Sequence, residues 1–374
     1  MSAPLVAVET FLACYPVTGE FKYLPSRGGR VPTRDTVVLR VTAEDGAVGW
    51  GQAVPSPTWS YETIETVRTT LDRHLGPALV GRDPEDLAGI EALLRRVIAP
   101  GFSTGQPIAK AAVDLALLDL AGRRAARSVA APWGRVGRGA VTLSWTVEAA
   151  DSAAAAAAVA AAGARGFRHF NLKVGRDPAA DLAVAAEVRR AAPGAFVWAD
   201  ANGGYDVATA RRVAAGLADL GVAALEQPLP ANDLPGYRRL REQQALPILM
   251  DEGIVALADL RAFHELGLLD GVAMKVSRSG GLTEARRILE YMEQHGLLFF
   301  ASGLTDPDLS LAACLQLFGA YGLERPAALN APQFLAGSIL ARPVEVRGDQ
   351  ALVPTGPGLG VAVDPVRLAA AELA

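Results

Sequence analysis

Five charged residues recur through the middle of this chain at nearly constant spacing. Lys173, Asp200, Glu226, Asp251 and Lys275 are 27, 26, 25 and 24 residues apart by subtraction. Each closes a short apolar run: "HFNLKVG", "FVWADA", "AALEQP", "PILMDE" and "GVAMKVS". Singly, each has an ordinary explanation as a turn aspartate, a helix cap or a lysine reaching out from a rim. Independent turn residues have no reason to repeat at one period. Three converging carboxylates without cysteine or histidine form an oxygen-only set, which selects a hard cation, Mg²⁺ first and Mn²⁺ second. The cation would also relieve their mutual repulsion. His74, His169, His264 and His295 show no ligand spacing, which speaks against zinc. Lysine becomes a base when burial or nearby positive charge lowers its pKa. Cation and lysines together suit removal of a proton α to a carboxylate, because the resulting enediolate carries two negative charges.

The period identifies the elements that must position these groups. About 25 residues is one strand–helix unit of a parallel barrel of ~250 residues, whose strands deliver their C-terminal ends to one mouth. From about residue 140 eight apolar strands recur, beginning with "VTLSWTV" and ending with "LFFASG" and "AALNAP", and helix-like stretches follow the first seven. This predicts an α/β fold, a modified (β/α)7β TIM barrel; an open doubly wound sheet is the competitor. With 140–146 as the first strand, Lys173 ends the second and Lys275 the sixth, on opposite sides. Before the barrel, 4–14 and 36–53 read as strands with a hairpin at "EDG", and 60–79, 86–98 and 106–126 as helices. That order predicts an α+β first domain over 1–130, a barrel over 131–335, and a tail over 336–374 that returns to the first domain.

Composition narrows the class. The 374 residues are 51% hydrophobic with a formal charge of −4, ample for an ordinary enzyme core. No basic stripe invites nucleic acid. Cys14 and Cys314 are too few for a disulfide framework. The alanine-rich run 153–164 is about half a membrane span, and Asp151 and Ser152 offer it an N-cap, so it reads as a helix of a soluble protein. Cytoplasmic location is the expectation, with a small carboxylate as partner and neither membrane nor nucleic acid. "GPGLG" (356–360) reads as a turn and "GRVGRG" (134–139) as the loop into the barrel.

The motifs "NLKVG", "WADANGGY", "LEQPLP", "LMDEG" and "KVSRSGG", in this order and spacing, resemble the enolase superfamily, specifically its muconate lactonizing (muconate cycloisomerase) subgroup. A lysine base beside Mg²⁺ is a general pattern of that superfamily. The resemblance implies a capping domain over the barrel, Mg²⁺ on Asp200, Glu226 and Asp251, Lys173 and Lys275 as acid/base pair, and Asn202 as a supporting group. It also implies a homo-oligomer. Asp306, in "SGLTDPDLS", falls where the subgroup usually has a glutamate near the substrate. Asn171 departs from the subgroup, which usually has a second lysine there; asparagine offers hydrogen bonds but no charge. Two cap loops, about 17–34 and 54–61, are expected to set specificity, with Lys22 and Arg30 meeting a second anionic group and Phe21, Tyr23 and Trp59 forming an apolar wall. The 61–86 segment resembles muconate cycloisomerases, and "LNAPQFL" lacks the Asp-x-Asp of a dipeptide epimerase. A cycloisomerase is the leading expectation, with racemase, epimerase and dehydratase open. A barrel hydrolase would not need the opposed lysines, and the full carboxylate set speaks against a catalytically silent binding protein.

Overall fold

The computed structural model describes residues 3–19, 21, 32–101 and 103–372. Strands β1 (Leu5–Pro16), β2 (Thr33–Ala43) and β3 (Val48–Ala53) form an antiparallel sheet. The β2–β3 hairpin turns at Glu44–Ala47, with Gly46 at φ 81°, a left-handed conformation glycine adopts without a Cβ clash. Helix α1 (Ile64–Thr70) runs through a π turn (Leu71–Leu75) into α2 (Gly76–Leu79), followed by α3 (Leu87–Val97) and α4 (Pro107–Arg124). Helix α4 lies against β3 so closely that a Cβ on Gly49 or Gly51 would meet the carbonyl oxygen of Ala116 or Ala112 at 2.1 or 2.0 Å.

The "VTLSWTV" stretch divides. Strand β4 (Ala140–Thr142) leaves the barrel to pair with the tail, while β5 (Trp145–Val147) opens the parallel sheet. Six further staves alternate with seven helices: α5 (Ser152–Ala164), β6 (Phe170–Lys173), α6 (Pro178–Ala191), β7 (Val197–Asp200), α7 (Val207–Asp219), β8 (Leu225–Glu226), α8 (Leu234–Gln243), β9 (Ile248–Met250), α9 (Leu257–Glu265), β10 (Gly271–Met274), α10 (Leu282–Gln294), β11 (Leu298–Ala301) and α11 (Asp308–Ala320). Their order is sequential from β5 to β11. The eighth stave is reduced to single parallel bridges, Ala327 to Leu143 and Ala328 to Ser302, which close the ring. The fold is thus the (β/α)7β barrel with an antiparallel-sheet cap, not the open sheet.

Strand alternation divides the barrel residues. Val197, Ala199, Leu225, Ile248, Val272 and Ala301 face the helices within the main core. Trp198, Ala224, Leu249, Ala273, Phe300 and Ala328 pack together in a separate cluster, the floor of the barrel interior. Asp151 caps α5, accepting from the Ala154 amide at 2.8 Å. After α12 (Ala331–Phe334), the tail strands β12 (Val346–Arg347) and β13 (Gln350–Leu352) pair antiparallel, and β13 pairs with β4. The Leu359 amide then donates to Asp119 on α4, and α13 (Pro365–Ala371) packs on β1. No described helix is long and apolar enough to cross a membrane.

Candidate active site

Two residues beyond each floor residue, strand alternation brings the next inward side chain to the mouth. Trp198 leads to Asp200, Ala224 to Glu226, Leu249 to Asp251, Ala273 to Lys275, Phe300 to Ser302 and Ala328 to Asn330. Four of the five residues of near-constant spacing therefore meet at the barrel mouth, and Lys173, two residues beyond Asn171 on β6, joins them through its contact with Asp200. Asp200, Glu226 and Asp251 each offer a carboxylate oxygen, and these lie within 4.8 Å of one another. All three are buried. Lys173 Nζ donates to Asp200 Oδ2 at 2.5 Å. Lys275 Nζ lies 2.8 Å from Asp251 Oδ2 and 3.7 Å from Glu226 Oε1, and donates to Ser302 Oγ at 2.8 Å. Three staves, β7 to β9, separate the two lysines, so the ammonium groups face each other across the carboxylates.

The donor set fits a hard divalent cation. Glu226 Oε1 is buried and accepts no hydrogen bond, an expensive state for a carboxylate oxygen unless an ion occupies its lone pairs. Burial, reinforced by Asp200, pushes the Glu226 carboxyl well above its usual range. Asp251 moves the other way: burial would raise it, but Arg278 and Lys275 outweigh that and hold it below the ordinary value. Burial likewise would lower Lys173, yet Asp200 and Glu226 outweigh it and keep the ammonium above the ordinary lysine value.

Supporting contacts orient the carboxylates. The backbone N–H of Asn202 donates to Asp200 Oδ1 at 2.9 Å, and its Nδ2 donates to Asp200 Oδ2 at 3.2 Å and to Glu252 Oε1 at 3.0 Å. Trp198 Nε1 donates to Glu226 Oε2 at 2.9 Å. Asn171 is buried on the same face as Lys173, level with Thr146 and Trp198, and its Nδ2 has no hydrogen-bond partner. The Trp59 ring lies 5.7 Å from Lys173 Nζ and tilts against Phe21, which stacks on Phe334 at 4.4 Å. Phe21 and Trp59, two of the three aromatics expected to form an apolar wall, thus meet here together with Phe334. Lys22, Tyr23 and Arg30 lie outside the described residues.

Asp306 is buried in the turn after β11. Both its oxygens are engaged by the protein: the hydroxyls of Ser277 and Ser310 donate to Oδ1, and the Leu304 amide donates to Oδ2 at 2.6 Å. These contacts tie its carboxylate to the turn after β11.

Sequence reasoning missed Glu252, Arg278 and Trp198. Arg278 is buried and donates to Asp251 Oδ1. Burial raises Glu252 to about 7, and adjacent Asp251 adds to the rise. The signals were adjacency in "MDEG", the arginine three residues beyond Lys275, and the tryptophan two before Asp200.

Comparison with known proteins agrees with this geometry. Residues 153–367 match the family described as "Enolase C-terminal domain-like", and 25–134 match "Mandelate racemase / muconate lactonizing enzyme, N-terminal domain". A chloromuconate cycloisomerase of Cupriavidus necator is 31% identical over 339 residues, covering 88% of this chain and 89% of that protein. Muconate cycloisomerase 1 of Rhodococcus opacus is 28% identical, covering 96% and 95%. The crystal structure of 2-chloromuconate cycloisomerase from Rhodococcus opacus superposes with a TM-score of 0.92 at 28% identity, covering 99% of this chain and 100% of that one. A muconate lactonizing enzyme from Pseudomonas fluorescens, solved with muconolactone, gives 0.90 at 26% identity with full coverage of both chains. With converged carboxylates, opposed lysines and both domains matched, this chain is an enzyme of the enolase superfamily and belongs to its muconate lactonizing enzyme subgroup.

Proposed function

We propose that the enzyme is a muconate cycloisomerase-like isomerase, interconverting a small unsaturated dicarboxylate and its lactone, with Mg²⁺ held by Asp200, Glu226 and Asp251. The observation that carries this reading is the pair of ammonium groups on opposite staves, flanking three converged carboxylates. When bound, the cation supplies positive charge against the second negative charge that develops on the reacting carboxylate.

In the lactone-forming direction one substrate carboxylate oxygen bonds to the carbon β to the other carboxylate. The displaced π electrons pass to that second carboxylate as an enediolate. The Lys173 ammonium then delivers its proton to the α carbon, and solvent reprotonates the amine. In reverse, the neutral amine takes the α proton and the C–O bond breaks with its electron pair on oxygen. Lys275 is held by Asp251, Glu226 and Ser302, which suits a fixed charge that steadies the enediolate from the opposite stave. Trp59, Phe21 and Phe334 supply an apolar wall beside Lys173, where exclusion of water strengthens these electrostatic effects.

Muconolactone incubated in D₂O with the Mg²⁺-loaded enzyme, followed by proton NMR, tests the proposal. Deuterium should enter the methylene α to the carboxylate. Lys173→Ala should lower the exchange by about 10²–10⁴-fold, the usual contribution of a positioned acid or base. Substantial exchange by both Lys173→Ala and Lys275→Ala would remove the assignment. The opposed lysines also favour a second reading, racemisation of an N-acyl amino acid, in which one lysine takes the α proton and the other returns one to the opposite face. Exchange with inversion in such compounds, and none in the lactone, would select it.

A further inference from the structure

We propose that Arg278 is a positioning residue that couples cation binding to docking of the cap segment 54–62 over the barrel mouth. The inference rests on the cation assignment to Asp200, Glu226 and Asp251. The segment is pinned at three places, and they differ in kind. At its start the buried Arg34 donates to the carbonyls of Pro55 at 2.5 Å and Val54 at 3.0 Å, and reaches the Leu304 carbonyl at 2.7 and 3.0 Å. At its end Glu62 accepts the backbone N–H groups of Ile108 at 2.7 Å and Ala109 at 3.0 Å. Neither anchor touches a carboxylate of the cation site.

The middle anchor does. One terminal nitrogen of Arg278 donates to Asp251 Oδ1 and the other reaches the Trp59 carbonyl at 3.4 Å. Asp251 is thereby divided between two tasks: Oδ1 faces the guanidinium, and Oδ2 lies beside Lys275 on the cavity side. A cation held by Asp251 would fix the plane of that carboxylate, and through Oδ1 the guanidinium and the Trp59 backbone in turn. The same residue is held from its other side, because its ring lies over Lys173, whose ammonium pairs with Asp200. Trp59 is therefore tied to the partners of two cation ligands, Arg278 of Asp251 and Lys173 of Asp200. The planar fork holds the carboxylate and the carbonyl on two nitrogens of fixed separation, a pre-organisation that a lysine's flexible ammonium lacks. Coupling of this kind is reciprocal, so docking of the segment also favours the cation.

Amide hydrogen exchange of the full chain with and without MgCl₂, alongside calorimetric titration of MgCl₂, tests the proposal. The amides of Trp59 and Ser60 are hydrogen-bonded to the Ser56 carbonyl at 3.0 and 2.8 Å, so their exchange reports docking. In the unaltered protein, saturating Mg²⁺ should slow exchange across 56–61 by about five-fold or more, the lower end of ordinary coupling. In Arg278→Met and Arg278→Lys the calorimeter should still register Mg²⁺, while the segment no longer responds. An unchanged response in both variants would overturn the role of Arg278. Mg²⁺ binding to unaltered protein without any change at 56–61 would overturn the coupling and leave the cation assignment standing. Absence of Mg²⁺ binding to unaltered protein would overturn both.

Discussion

Lys173 answers to its surroundings one contact at a time. Its ammonium is buried beside Asp200, with the Trp59 ring 5.7 Å away, and such a charge is tolerable only because carboxylates face it. Asp200→Asn and Glu226→Gln should therefore each weaken Mg²⁺ by at least about ten-fold in calorimetry, since each removes one of three anionic ligands. A variant that binds Mg²⁺ as tightly as the unaltered protein would exclude that residue from the ligand set. These residues were legible in the sequence because each sits at a strand end and repeats at barrel period. Arg278 and Glu252 were not, because what gives them meaning is their place against Asp251 and Asn202 in three dimensions. The surroundings of Asp306 were hidden for the same reason: its position in the motif was legible, but the serine hydroxyls that donate to it come from two different segments.

Among the elements, the β3–α4 contact is the tightest constraint on the cap. Gly51→Ala would place a methyl 2.0 Å from the Ala112 carbonyl oxygen, and backbone on both sides leaves nowhere to shift. Destabilisation of about 1–3 kcal/mol is expected in urea unfolding, the typical range for overpacking; a loss under 0.5 kcal/mol would show that α4 can retreat. Glu62 adds a pH dependence. Burial lifts its carboxyl from 4.5 to about 7, against the pull of the Ile108 and Ala109 amides. Folding thus favours the protonated form: its contribution is full below about pH 4.5 and is lost as pH rises through about 7. Relative to Glu62→Gln, the unaltered protein should lose about 3 kcal/mol between pH 4.5 and 7.5. A pH-independent difference between the two proteins would contradict the assignment. The alternation of strands and helices was legible from period alone. The division of 140–147 into β4 and β5 was not, since only the distant tail strand β13 draws β4 away.

For the whole molecule, the cation site is also a stability element. Three buried carboxylates on neighbouring staves repel one another, so a cation that binds only the folded chain should stabilise it by about 2.7 kcal/mol at a hundred times its Kd. For 374 residues that corresponds to a Tm rise of roughly 3 °C. The rise should be reversed by EDTA and, at the same Mg²⁺ concentration, fall to about half or less in Asp200→Asn; an equal rise in that variant would indicate cation binding elsewhere. The tail meets the cap through specific polar joints, such as buried Asp119 on α4, which accepts from the amides of Trp50 and Leu359 and pairs with Arg123. No sequence period announces such joints. The central claim is that one divalent cation binds between Lys173 and Lys275 on ligands from three adjacent staves. A crystal grown with Mn²⁺ and measured at the manganese edge tests it most directly. One anomalous peak within coordination distance of Asp200, Glu226 and Asp251, with the two ammonium groups on opposite sides, is the expected result; no peak there, or lysines turned out of the cavity, would contradict the account.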